Sequence, residues 1–276
     1  MNLSVLWTVS DIAVYRAGFA AEKKHYIVTD DMEVMGPFAS REEAALADVP
    51  WEDGWYIDHK RVVEPVENAL HNVNTILERL CQKPYELYLT GKDNFRHRLA
   101  TLKTYKGNRA RVGKPVHYDA IRDLMVRKWG AYIIDGQEAD DEIGIRATEL
   151  TKEGKSPIIV TIDKDLDMIP GLHFNWVKDE LRQIDKLEAW RCFYKQCLMG
   201  DSTDNIPGIE GLGPKTADKL LAECKTSEQM LQVVKDQWRK HYPAGVVTED
   251  GTARLHTDVA REEVMKLLWI RRKREN

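Results

Sequence analysis

Residues 156–167 read Ser156-Pro157-Ile158-Ile159-Val160-Thr161-Ile162-Asp163-Lys164-Asp165-Leu166-Asp167, an apolar, β-branched run that ends abruptly in three carboxylates. Such a run, opened by proline and closed by acids, predicts a buried strand over Pro157–Ile162. Working outward, Leu3–Val9, Glu86–Thr90 and Tyr132–Ile134 carry the same signature. Between the strands, Val66–Leu80, Tyr118–Lys128 and Asp140–Lys152 have helical periodicity. Strands that alternate with helices predict an α/β fold, a mostly parallel central sheet flanked by helices. In such sheets ligands gather at the carboxyl ends of the strands, and Asp11, Glu138 and Asp163 each come just after a predicted strand. If the strand continues past Ile162, Asp163 and Asp165 share one direction and can reach one cation. An EF-hand loop fails here, because Met168 stands where glycine is needed and Phe174 where the bidentate glutamate is needed. A solvated loop is the remaining alternative, and it accounts poorly for acids placed directly after a buried strand.

Two more acidic clusters follow the same logic. Glu138-Ala139-Asp140-Asp141 opens a helical pattern, where one acid is an ordinary cap but three repel one another unless a cation intervenes. Capping and ion binding weigh about equally for this string alone. Gly200-Asp201-Ser202-Thr203-Asp204 leads into Gly208-Ile209-Glu210-Gly211-Leu212-Gly213-Pro214-Lys215-Thr216, with Pro214 suited to the first turn of a helix. Backbone N–H groups at that helix start can hold a phosphate, with Lys215 and Thr216 adding contacts. A Walker A loop is excluded, since Pro214 separates Gly213 from Lys215 and no strand precedes the loop.

From about residue 190 the strand signals stop, and Trp190–Met199, Thr216–Leu221 and Val259–Arg272 read as helices. The change of pattern near Asp185–Trp190 predicts a division into residues 1–187 and 188–276. His241–His256 reads as a loop or short hairpin. The 276 residues are 43% hydrophobic and 31% charged, a globular balance with a formal net charge of −4. The distribution of charge is more telling than the total, because eight basic residues from Lys92 to Lys114 face only Asp93. A basic zone separate from acidic ones suits a polyanion brought to bound cations, although an ordinary solvated helix fits a charge run taken alone. Cys81, Cys192, Cys197 and Cys224 have no metal-finger spacing and are expected to be reduced thiols in a cytoplasmic protein. The apolar start is interrupted by Asp11 and Arg16, far short of the ~20 apolar residues of a membrane span, so no membrane partner is expected.

The strings YRAGFAAEK, TGKDNFR, YKGNR, EADD, TIDKD and MGDSTDNIPGIEGLGPKTA occur here in one order. That order resembles the 5′-nuclease family of flap endonucleases, polymerase I 5′-nuclease domains and bacteriophage 5′→3′ exonucleases. YRAGFAAEK and TGKDNFR resemble the phage enzymes in particular. The motifs run from about Asp11 to Leu221.

The resemblance implies a PIN-like nuclease domain, a basic helical arch near 92–114, and a helix–three-turn–helix DNA-binding element in the C-terminal region. It implies hydrolysis of phosphodiester bonds near DNA 5′ ends with two Mg²⁺ or Mn²⁺ ions. The ligands it implies are Glu138, Asp140, Asp141, Asp163, Asp165, Asp201 and Asp204, with Asp11 as the second acid of a DGD-like string. Lys106 and Arg109 match the family's basic pair; at i,i+3 on a helix they would share a face and neutralise charge on the scissile phosphate. DNA contacts are implied for Tyr15, Arg16, Arg96, Tyr105, Gly211, Gly213, Lys215 and Thr216, and for Tyr15 a place in the core fits nearly as well. The implied partner is duplex DNA with a free 5′ end, a nick or a flap, or an RNA–DNA hybrid. The protein would act as a monomer in the cytoplasm, that of a bacterial host if the chain is phage-encoded. Two positions depart from the pattern. Val9 stands where the family has its first-strand aspartate, and Thr90 or Gly91 where it has the next. The alternative that follows from Val9 is an impaired member that binds DNA structures without cutting them.

Overall fold

The computed structural model describes residues 5–7, 11–30, 32–81, 84–108 and 113–274, leaving aside the side chains of 5–7, 11 and 59–61. Along the chain come β1 (Val5–Trp7), α1 (Asp11–Ala20), β2 (Glu22–Thr29), β3 (Val34–Phe38), α2 (Arg41–Ala44), β4 (Tyr56–Val63) and α3 (Val66–Leu80). Then follow β5 (Tyr88–Thr90), α4 (Arg96–Leu99), α5 (Tyr118–Trp129), β6 (Tyr132–Ile134), α6 (Ala139–Lys152), β7 (Ile158–Val160), β8 (Gly171–Asn175) and β9 (Glu180–Ile184). The last part holds α7 (Lys186–Met199), β10 (Gly200–Asp201), β11 (Ile206–Pro207), α8 (Pro214–Leu221), α9 (Ser227–His241), β12 (Val246–Val247), β13 (Arg254–Leu255) and α10 (Thr257–Leu268).

These elements form two compact units, one of residues 1–10, 81–113 and 129–276, the other of residues 11–80 and 114–128. In the first unit, β1 and β7 pair in parallel, as do β7 and β8, and β9 closes the sheet antiparallel to β8. β5 and β6 form a separate parallel pair. The strands read from the sequence are therefore present and parallel, but among the described residues they lie in two ladders rather than one central sheet. The β8–β9 hairpin, which the sequence reading missed, ends the larger ladder with an antiparallel edge. Helices α6, α7, α9 and α10 share one core through Ile143, Phe193, Leu198, Trp238 and Val264, and Ile159 of β7 joins it. The division expected at 187/188 falls inside this core.

Helix α9 was also missed. Thr226 caps it and Gln229 completes the capping box, while Met230, Val234 and Trp238 bury one face at helical spacing. The Trp238 indole N–H donates to Cys197 O at 2.9 Å, which fixes α9 on α7. The expected hairpin in 241–256 is formed by β12 and β13.

In the second unit, β2 is the central strand of an antiparallel sheet, paired with β3 on one side and β4 on the other, a sheet for which the sequence carries no strand expectation. Ala13, Val14 and Ala17 of α1, Ala69, Val73 and Leu77 of α3, and Ile121 and Met125 of α5 are buried. Among the described residues no helix is long and apolar enough to cross a membrane, and the four cysteines are unpaired.

Candidate functional site

The start of α6 is the most firmly held acidic segment. Thr90 Oγ1, at the end of β5, accepts the Ala139 N–H at 3.1 Å, and Asp141 Oδ2 accepts the Glu138 N–H at 3.2 Å. Two of the donors that precede the helical ladder are thereby satisfied. Asp141 is fully buried. Its carboxylate receives a forked pair from Arg96, Nη1 to Oδ2 at 2.5 Å and Nη2 to Oδ1 at 3.0 Å, and the Arg271 backbone N–H at 3.0 Å. Both oxygens are thus committed to a buried guanidinium and to backbone, which corrects the expectation of Asp141 as an ion ligand. The same contacts correct Arg96 as a DNA contact: at 3% exposure it is a structural counter-ion.

Glu138 faces cations of the protein itself. The Lys106 ammonium binds its Oε1, and Arg96 Nη1 lies 3.8 Å from Oε2. Burial alone would raise the Glu138 carboxyl, but Lys106 and Arg96 hold it below its ordinary value. The Tyr105 hydroxyl stands 3.1 Å from Glu138 Oε1 and 2.8 Å from Asp204 Oδ2. It has one proton, which the nearer Asp204 receives best. Burial, reinforced by these two carboxylates, pushes the Tyr105 phenol far up. Tyr105 is 3% exposed, so it links acids within the site instead of facing DNA as expected.

Lys106 has a left-handed backbone, φ 56°, and its N–H donates to Asp204 O at 2.8 Å. Asn205 Nδ2 donates to Thr104 O at 2.9 Å and Asn108 Nδ2 to Ser202 O at 2.6 Å, stitching the 104–108 turn to the 201–205 loop. Lys106 therefore lies in a turn, not on a helix face shared with Arg109, and Arg109 is outside the described residues. In place of a basic helical arch, residues 92–108 form the single turn of α4 and irregular turns.

The Asp163 turn differs in kind. The chain leaves β7 at Val160; Thr161 Oγ1 accepts the Asp163 N–H at 2.9 Å, and Asp163 Oδ1 accepts the Asp165 N–H at 3.0 Å. The two acids are brought together by this Asx turn and the 3₁₀ turn at 165–168, not by a continued strand as expected. Burial raises Asp163, and the Asp204 and Asp201 carboxylates add to the rise against the Asp165 N–H bond. Asp165 is pushed up to about 7 by burial, then by Asp163 and Asp201, although Gln196 of α7 donates to it. Asp140 is raised well above its ordinary value by burial, Asp163 and Glu138, with Lys106 opposing. Asp201 sits in β10 with its Oδ1 accepting the Thr203 N–H at 2.8 Å.

Acids from α6, the Asp163 turn and the β10–β11 hairpin thus form one region of mutual repulsion. Its donor set suits a hard divalent cation: carboxylates only, part-buried, with less positive charge than negative. Among the described residues, no group of three or more His, Cys, Asp or Glu is drawn together closely enough to hold an ion as it stands. Sequence reasoning missed Thr90 and Gln196, which hold α6 and Asp165 in place. Their signal lies only in their neighbours, since neither residue type marks a site by itself.

At Gly91, where the resemblance calls for an aspartate, a Cβ would lie 2.1 Å from Asp135 Oδ1 and 2.8 Å from Ile134 O. No side chain fits there without moving β6. Val9 lies outside the described residues. Asp11, Tyr15 and Arg16 belong to α1 of the second unit, where the Asp11 side chain is not described. The half-buried Tyr15 ring lies 5.4 Å from Tyr118 and 5.9 Å from Phe19, an aromatic cluster, while Arg16 is exposed.

In the C-terminal region, α7 and α8 flank the turn-rich residues 200–213. Gly211 is exposed with φ 75°, Gly213 is the N-cap of α8, Pro214 follows it, and Lys215 and Thr216 are exposed. These four expected contacts lie together on one accessible helix start.

Residues 192–264 match the family model described as "5'-3' exonuclease, C-terminal SAM fold". DNA polymerase I of Geobacillus stearothermophilus is 29% identical over 185 residues, covering 59% of this chain and 21% of that protein. DNA polymerase I of Bacillus subtilis is 30% identical over 189 residues, covering 60% of this chain and 21% of that protein. The chain spans about a fifth of the length of these curated relatives. A solved structure of a T5 5′-exonuclease mutant superposes with a TM-score of 0.44 at 14% identity, covering 74% of this chain and 91% of that one. The matched C-terminal domain and the polymerase I likeness agree with the resemblance to the 5′-nuclease family that the ordered motifs carry.

Proposed function

We propose that the chain is a divalent-metal-dependent nuclease that hydrolyses phosphodiester bonds near DNA 5′ ends, as an exonuclease or flap endonuclease. The observation that carries this reading is the gathering of part-buried acids from α6, the Asp163 turn and the β10–β11 hairpin, where burial and neighbouring carboxylates raise Asp140, Asp163 and Asp165. Such repulsion is costly unless a cation relieves it, and the protein's own cations do so only in part, since Arg96 is spent on Asp141 and Lys106 alone opposes the rise of Asp140 and Asp163. Mg²⁺ or Mn²⁺, two ions by family likeness, would be held by Asp140, Asp163, Asp165, Asp201 and Asp204, with Glu138 at the edge. When bound, such ions supply charge neutralisation and an activated water for in-line displacement.

The chain's own residues account for the rest. Lys106 is held beside Glu138 and Asp204 by its backbone bond, so its ammonium can meet a phosphate oxygen brought to the same acids. Tyr105 keeps Glu138 and Asp204 at a fixed separation. Gly211, Gly213, Lys215 and Thr216 form the start of α8, where N–H groups and a positive dipole end suit a backbone phosphate away from the cleaved bond.

The test is a 5′-labelled flap and a nicked duplex incubated with Mg²⁺, Mn²⁺ or EDTA. Metal-dependent shortening from the 5′ end is expected. Tight binding with no metal-dependent product at high protein concentration would overturn the nuclease reading. That outcome would favour a structure-selective DNA-binding protein, the reading that Val9 supports.

A further inference from the structure

The segment that follows α10, residues 269–274, runs back across the first turns of α6 and is tied to it through Arg271 and Arg274, with Arg96 of α4 holding it from the side. Arg96 Nε donates to Leu267 O at 2.8 Å and Nη2 to Trp269 O at 2.9 Å, while the same guanidinium grips Asp141. Arg271 donates its backbone N–H to Asp141 and Nη1 to Gln137 Oε1 at 3.1 Å. Its guanidinium carbon lies 4.0 Å from the centre of the Phe95 ring, and that of Arg96 4.7 Å from it. Arg274 binds Glu142 at 2.7 and 3.1 Å and reaches Glu149 at 3.4 Å. The backbones approach so closely that a Cβ on Gly144 would lie 2.3 Å from Arg271 O.

We infer that this segment is a positioning strap for the acids at the start of α6. The inference rests on the metal-site reading above. The strap grips Gln137, Asp141 and Glu142, which bracket Glu138 and Asp140, but none of the bonds named here goes to Glu138 or Asp140 itself. Helix ends fray readily, and the N–H groups of the first turn have no helical partner, so an unsupported α6 could unwind that turn and swing its acids out of place. The strap removes that escape and keeps the acids aimed where a cation can join them. Phe95 and Arg96 of the TGKDNFR string thereby acquire a role: they are the anchor on which the strap is laid. Supporting residues of this kind commonly change metal affinity about 10- to 100-fold when lost.

The test measures Mn²⁺ binding by calorimetry, together with thermal melting, on the full chain. Gly144→Ala pushes the strap off the helix without touching an acid, and it is expected to weaken Mn²⁺ binding about 10- to 100-fold while the protein still melts cooperatively. Arg96→Lys should do the same, and the two changes combined should cost little more than the worse one alone, because both release one element. A distant pair serves as control: Arg239→Ala, which breaks a surface bridge to Asp258, should leave Mn²⁺ affinity unchanged. Lowered melting with wild-type Mn²⁺ affinity in Gly144→Ala would overturn the inference, as would fully additive losses. If Gly144→Ala does not fold, Gln137→Ala combined with Arg271→Ala decides on the same criterion. Absence of Mn²⁺ binding in the wild-type protein would instead refute the metal-site reading on which the strap rests.

Discussion

The acids at the start of α6 and those of the Asp163 turn belong to one residue class and one region, yet they have opposite electrostatic fates. At α6 the protein supplies the cations: Arg96 for Asp141, and Lys106 with Arg96 for Glu138. At the turn, burial raises both Asp163 and Asp165; Asp204 and Asp201 add to the rise of Asp163, and Asp163 and Asp201 to that of Asp165. A carboxylate that has its own arginine is part of the architecture. Carboxylates raised by one another, with only the single Lys106 ammonium opposing, suit an added positive charge, and Asp140, beside Asp141 in sequence, belongs with them. The difference teaches that adjacency in sequence does not assign a role; the counter-charge does.

That contrast can be broken by substitution. Asp163→Ala is expected to lower single-turnover cleavage of a 5′ flap by about a thousandfold, the order seen when transition-state charge stabilisation is removed. DNA affinity in EDTA should stay nearly intact, and melting of the metal-free protein should rise because repulsion is removed. A fall in melting would place Asp163 with Asp141 and end the distinction. Asp141→Ala should do the reverse of Asp163→Ala in the melt, costing about 3–5 kcal/mol because Arg96 is left buried and unpaired. Denaturant unfolding measures it, and a loss within experimental error would show that Arg96 finds another partner.

Smaller effects sharpen the picture. Lys106→Ala should slow cleavage by about a hundredfold while weakening DNA binding much less, since its charge lies beside the acids; an unchanged rate would remove it from the mechanism. The raised carboxyls also give a pH dependence. An acid whose folded value lies above its ordinary one makes the native state less stable as it ionises, so metal-free stability should fall as pH rises from about 4 through about 7. Mg²⁺ should therefore raise the melting temperature more at pH 8 than at pH 5, and an equal rise at both would contradict the elevated values. Lys215→Ala, at the start of α8, should weaken DNA binding modestly and reduce the salt slope by about 1, with Mg²⁺-induced stabilisation unchanged.

Much of this was legible in the residues. Apolar runs ending in acids placed β7 and the acids that follow it, and the string at 200–216 placed the start of α8, because both signals are local. What was not legible depends on contacts distant in sequence. Asp141 could not be told from Asp140 without Arg96, 45 positions away. Tyr105 was expected at the DNA through the resemblance, whereas its buried hydroxyl lies between Glu138 and Asp204. The β3–β2–β4 sheet was not legible because β2 opens with Glu22, Lys23 and Lys24 and β3 is short, mostly exposed and broken by Gly36 and Pro37, so neither has the apolar signature of the buried strands.

The central claim is that the acids least balanced by protein cations take up a divalent cation. Equilibrium Mn²⁺ binding to the wild-type chain and to Asp163→Asn, measured side by side at neutral pH, tests it most directly. Saturable binding to the wild type that is lost or weakened at least about tenfold in the variant is the predicted result, a difference of about 1.4 kcal/mol. Equal binding to both proteins, or none to either, would contradict it.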